Sequence, residues 1–141
     1  MNAYARTADT YLTQRILAAS PEQQAALIME AGQLHLGRAI QAMTRNDLVS
    51  AGSSFIRVSE AIVEANLRLN REDGGELVQN LEKLYNHWTL EIMEASAARD
   101  TRRLSAVAHA MGEIRQAWEQ HHEKKNGAVQ LAAFQFGDRV V

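Results

Sequence analysis

Leu48, Phe55, Ile62 and Leu69 recur at intervals of seven, with Ala51, Val58 and Ala65 interleaved. Alternating steps of three and four keep such residues on one side of an α-helix, whereas a strand repeats every second residue. A stripe of this length commits the segment to a helix that lays one face on other helices. The rest of the chain agrees. There are 23 alanines and one proline in 141 residues, and alanine loses no side-chain entropy in a helix while proline breaks its hydrogen-bond ladder. No sustained alternation of period two competes before the last fifteen positions. The chain is expected to be all-α.

Breaks in the pattern divide it. Ser20-Pro21-Glu22-Gln23 reads as a helix start: Ser20 caps, Pro21 suits the first turn and Gln23 closes a capping box. That helix is predicted to reach about Arg45. Asn46 or Asp47 caps the next, which carries the heptad stripe to about Asn70. Asp73-Gly74-Gly75 interrupts the chain, because paired glycines permit positive φ and weaken a helix interior. Glu76 to about Arg99 and Thr101 to about Asn126 complete four long helices. Short connections force neighbours antiparallel, giving an up-and-down bundle. Its predicted core holds Phe55, Val58, Ile62, Leu81, Leu84, Trp88, Val107, Met111 and Ile114. Residues 1–126 form one domain in this reading, opening with a short helix or arm over 2–17, and 127–141 form an apolar tail.

The net charge of −2 gives no electrostatic footprint for nucleic acid. The chain has no cysteine, which excludes disulfides and thiolate chemistry. A basic stretch leading into an apolar run, as in a signal peptide, is not seen at the start, and no run is long enough for membrane insertion. The cytoplasm is the expected compartment. Glu119-Gln120-His121-His122 holds a Glu-x-x-His, one half of a di-iron bundle site, but Gly32, Leu84, Ala106 and Trp118 stand three residues before the other histidines. No phosphate loop or nucleophile elbow occurs. No catalytic residue, metal or cofactor is predicted, and the residues describe a helical binding or structural module.

Two helices have more apolar surface than one buried face requires. The first carries Leu27, Ala31 and Leu34 beside Ile28, Leu36, Ile40 and Met43; the second adds Val49, Gly52, Ile56, Val63 and Leu67 to its stripe. Either the chain's own ends cover the surplus, or it forms a groove for a partner helix. Gly32, Gly37, Gly52 and Gly112 lie inside helices, each at about 1 kcal/mol relative to alanine. Close helix approach or a ligand lying against the bundle would compensate.

Several segments, in order, resemble the flagellar export chaperone FliS family. They are Asn2-Ala3-Tyr4, the Ala19-Ser20-Pro21-Glu22-Gln23 helix start, the run from Gly74-Gly75-Glu76-Leu77 through Asn80-Leu81 to Leu84-Tyr85, and Ile114-Arg115-Gln116-Ala117-Trp118. Met29-Glu30-Ala31 departs from the family's usual Tyr-Asp-Gly, and residues 127–141 have no family counterpart. The resemblance implies a non-enzymatic chaperone that sequesters the disordered C-terminal segment of flagellin against premature polymerisation and keeps it fit for export. It also implies contact with the membrane export gate. The tyrosine contacts Tyr4, Tyr11 and Tyr85 follow from the resemblance, with Ile16 beside the first two in the arm. Leu27, Leu34, Ile56 and Val63 follow from the second-face argument. A self-associating structural bundle is the alternative. In the free protein the arm or the tail (Val129, Leu131, Phe134, Phe136, Val140 and Val141) is expected to cover the apolar surface.

Overall fold

Asp47 and Asp100 each end one connection and start the next helix. The structure, a computed structural model, describes residues 20–72 and 74–124. Its helices are α1 (Pro21–Thr44), α2 (Leu48–Leu67), α3 (Gly75–Ala97) and α4 (Thr101–Lys124). At the end of α1, Asn46 adopts φ 62° and the Asp47 N–H reaches back to the Ala42 carbonyl at 2.8 Å. At the end of α3, Arg99 adopts φ 52° and the Asp100 N–H reaches the Ala95 carbonyl, also at 2.8 Å. Both are left-handed helix stops. Each aspartate then turns its carboxylate to the next helix, accepting from Ser50 N–H at 3.1 Å and from Arg103 N–H at 3.2 Å. The Arg99 guanidinium donates to Asn46 Oδ1 at 3.1 Å, tying the two turns together at one pole.

The opposite pole uses different chemistry. Ser20 and Gln23 form the expected capping box, with Ser20 Oγ accepting from Gln23 N–H at 3.2 Å. The α2 helix stops at Leu67, three residues short of the expected Asn70. Asn70 is held in a turn instead: its side chain accepts from Glu72 N–H at 3.2 Å and its carbonyl from Gly74 N–H at 2.9 Å. A Cβ at Gly74 would collide with the Val78 side chain, so only glycine fits there.

The helices form an antiparallel square. The α1 helix packs extensively against α2 and α4, α3 closes the square against α4 and α2, and the diagonal pairs do not approach. The α2–α3 contact is the least extensive of the four. Of the predicted core, Val58, Ile62, Leu81, Leu84, Trp88, Val107, Met111 and Ile114 are buried. Phe55 is not; it is half-buried and packs against the core from its edge. The heptad line Leu48–Phe55–Ile62–Leu69 is therefore not the centre of the buried face. That centre is the interleaved Ala51, Val58 and Ala65 together with Ile62, where small side chains let α2 approach α1. Gly32 of α1 lies opposite, and a methyl group in place of its hydrogen would sit at ordinary contact distance, 3.5 Å from the Ala61 Cβ.

Candidate binding surface

The surplus on α1 is largely internal. Leu27 is buried at 8% exposure because α1 has a neighbour on two sides, while Leu34 remains 52% exposed on its outer edge. The surplus on α2 is external. Val49, Ile56, Val63 and Leu67 are all more than half exposed, at 84%, 61%, 57% and 71%. At 100° per residue, Val63 lies ~200° from Ala61, which faces α1, so the line points away from the bundle centre. Phe55, Ile56, Ser59 and Val63 line a shallow open depression on it.

One hydrogen bond sets α2 against α3, and one ion pair ties the connection after α2 to α3. Asn66 Nδ2 donates to Asn86 Oδ1 at 3.2 Å, and Arg71 pairs with Glu82 at 3.1 Å. Met93 is seven residues beyond Asn86, hence on the same line of α3, and the antiparallel course puts it level with Ser59. Leu90 is level with Ile62 and Val63 by the same reckoning. Yet Leu90 and Met93 are 52% and 60% exposed. Both helices thus carry exposed apolar side chains at this level of the bundle. Charged side chains flank the α2 line, Arg57–Glu60 at 3.5 Å and Arg68–Glu64 at 2.8 Å, with no excess of either sign.

A second concavity sits at the pole where α1 begins and α4 leaves the described residues. It holds about 300 Å³ between Pro21, Ile28, Leu69, Leu77, Tyr85 and Trp118. Tyr85 is 1% exposed, tilted against Trp88 with ring centroids 5.4 Å apart. Burial pushes its hydroxyl up to about 12, partly offset by a hydrogen bond with Trp118. Tyr85 therefore borders this cavity from inside the core and does not reach the outer surface.

The expected site residues divide accordingly. Ile56 and Val63 come together on one exposed line; Leu34 stands on another helix, and Leu27 and Tyr85 are interior. Tyr4, Tyr11 and Ile16, and the tail expected as a cover, lie outside the described residues. Leu90 and Met93 escaped the sequence reading. Their only signal was a pair of large apolar residues three apart and off the α3 core line, which single exposed hydrophobics on many surfaces also give.

Among the described residues no three His, Asp or Glu side chains gather as metal ligands, and no helix is long and apolar enough to cross a membrane. The most perturbed carboxylates are structural. Glu91 is held below its usual range by hydrogen bonds from Arg103, whose guanidinium pairs with it at 2.6 Å and also reaches Glu94 at 3.2 Å. Among the described residues the arrangement presents an exposed apolar line and structural ion pairs.

A four-helix bundle with an exposed aliphatic line along one helix is a class of fold shared by many binding modules. The profile of the family "Flagellar protein FliS" matches residues 3–125, and the chain belongs to that family. It is 33% identical over 104 residues to the flagellar secretion chaperone FliSB of Pseudomonas aeruginosa, covering 72% of this chain and 80% of that one. The flagellar secretion chaperone FliS of Vibrio cholerae is 27% identical, over 75% of this chain and 78% of the relative. That of Salmonella typhimurium is 25% identical, over 85% and 87%. The family's role is that of a secretion chaperone, which is not enzymatic.

Proposed function

We propose that this chain is a cytosolic export chaperone that binds the C-terminal segment of flagellin one-to-one. An amphipathic segment laid along the α2–α3 seam would bury its apolar face there instead of against other flagellin chains, which withholds it from polymerisation. One observation carries the reading: the exposed aliphatic line Val49–Ile56–Val63–Leu67, with Leu90 and Met93 also exposed on the neighbouring α3. Membership of a flagellar chaperone family supports it. Tyr4, Tyr11 and Ile16 in the arm, and Leu34 on α1, extend the contact in this proposal. Tyr85 and Leu27 enter it only as the floor behind the surface. The loaded complex then docks at the membrane export gate.

The test is the double change Ile56→Ser and Val63→Ser in the full chain. Both side chains are already more than half exposed, so the melting temperature should stay within about 3 °C of the parent, given the usual ~4–8 °C per kcal/mol. Affinity for a peptide spanning the last ~40 residues of flagellin, a length of about 60 Å if helical, should fall at least tenfold. Unchanged affinity would remove the seam as the docking site.

A further inference from the structure

The family profile stops at residue 125, so the last stretch of the chain falls outside the pattern its relatives share. That stretch holds two of the chain's three phenylalanines, Phe134 and Phe136. The cavity bordered by Tyr85 and Trp118 lies at the pole where α4 ends. We propose that residues 127–141 turn back over this pole and seat Phe134 and Phe136 in that cavity of their own chain.

Reach permits it. The α4 helix runs six residues beyond Trp118 to Lys124, about 9 Å at ~1.5 Å per residue. Phe134 follows ten residues later, up to ~33 Å of extended chain, and Gly127 stands where the direction must reverse. The end of α4 is also held at the cavity's lip. His121 Nε2 lies 3.8 Å from the Glu22 carboxylate, and its ring meets Trp118 edge-on with centroids 6.3 Å apart. Glu22 and Trp118 both line the cavity.

Shape and chemistry select the occupant. The cavity holds about 300 Å³, twice the ~150 Å³ that accepts one benzene ring. In an extended segment residues two apart point the same way, so Phe134-Gln135-Phe136 offers two rings to one side. The floor includes Ile28, Leu69 and Leu77. Phenylalanine brings no hydroxyl into such a floor, whereas Tyr4 or Tyr11 of the arm would each bring one that needs a partner. The rim is polar where a backbone would cross it: the Arg68 guanidinium donates to Gln24 Oε1 at 2.7 Å, and both residues border the opening. His121 gives an independent mark. Its Nδ1 is buried and has no hydrogen-bond partner among the described residues, which native structures seldom leave so. With Nε2 turned to Glu22, Nδ1 is an acceptor, and a backbone N–H of the returning chain satisfies it. None of this uses the α2 line, so the proposal stands or falls apart from flagellin binding there.

Paramagnetic relaxation in the full chain tests it. The chain has no cysteine, so Asp138→Cys carries a single nitroxide. Relative to the reduced label, the Ala25 and Leu77 amides and the Trp118 indole N–H should lose most of their intensity, while Val49 and Ile56 keep theirs. Adding Phe134→Ser and Phe136→Ser should restore the lost signals. Intact signals at the pole overturn the proposal, as does broadening centred on Val49 and Ile56. Broadening that survives removal of both phenylalanines overturns it too. In a mixture of nitroxide-bearing chain with isotope-labelled chain that lacks the nitroxide, the pole resonances should keep their intensity. Their loss there would mean that the tail seats on another copy, and the fold-back would be wrong.

Discussion

The Gln33 amide lies where Gly112 has no side chain: a Cβ at 112 would stand 2.6 Å from Gln33 Nε2. From there Gln33 donates to the Ala108 carbonyl at 3.1 Å and accepts from the Arg115 guanidinium at 3.2 Å, joining α1 to α4. Glycine inside a helix is thus exchanged for a polar bridge between helices. The Gly112→Ala variant should gain about 1 kcal/mol of helix propensity and lose both hydrogen bonds, one of them to a charged group. The net expectation is destabilisation by about 1–2 kcal/mol. Gly37→Ala, whose added methyl would meet nothing within 4 Å, should instead stabilise by up to about 1 kcal/mol. Urea melts of the two variants should move in opposite directions.

Phe55 and Trp88 make a second contrast. Trp88 is 2% exposed, and Trp88→Ala should cost about 3–5 kcal/mol. Phe55 sits at the edge of the core, so Phe55→Ala leaves an open notch rather than a sealed cavity, and about 1–2 kcal/mol is expected. Equal losses in denaturant titration would place Phe55 in the centre of the core.

The sequence made the fold legible through punctuation and period. Ser20-Pro21, Asp47, Gly74-Gly75 and Asp100 all stand where the helices begin, because capping is local chemistry that a few neighbouring residues decide. The period named the buried helix faces but misplaced their centre on α2, since Ala51 and Ala65 look neutral until a second helix lies against them. The same blindness affects the site. Ile56 and Val63 could be found from one helix alone. Leu90 and Met93 acquire meaning only because α3 lies beside α2 and leaves them exposed, a property of how rods are placed. Tyr85 looked like a contact residue by resemblance, and its burial depends on Trp88 and Trp118 packing around it once the helices assemble.

Tyr85 also sets an alkaline limit. Its hydroxyl titrates at about 12 in the folded protein and near ~10 in an unfolded chain. Burial therefore favours the protonated form, and its contribution is intact below pH ~10 and lost progressively as pH rises toward ~12. A melting temperature that falls across this interval should fall less steeply in Tyr85→Phe. That variant should itself be about 1 kcal/mol less stable, through the unpaired Trp118 N–H.

Glu91 gives the complementary acid limb. Its carboxyl is depressed by Arg103, so the interaction stabilises the fold above the unfolded value of ~4.3 and fades as pH drops through the lower folded value. Thermal melts from pH ~6 to ~3 should show a shallower acid decline for Glu91→Gln than for the parent. Parallel declines would mean that the Arg103 bridge contributes nothing to acid stability.

The bond between Gln33 and Arg115 joins positions 82 apart, and it has a consequence for a chain made from one end. The first long helix finds its last partner only when the final one has been synthesised. During translation the α1–α2 hairpin can close early, but the α4-facing side of α1 stays bare on the ribosome until more than a hundred residues have emerged. An apolar helix face left bare while its partner is still missing is prone to misassociation. A member of a secretion-chaperone family thus passes through its own interval of exposure at birth, and a nascent chain stalled before α4 would be the form of it most in need of a chaperone.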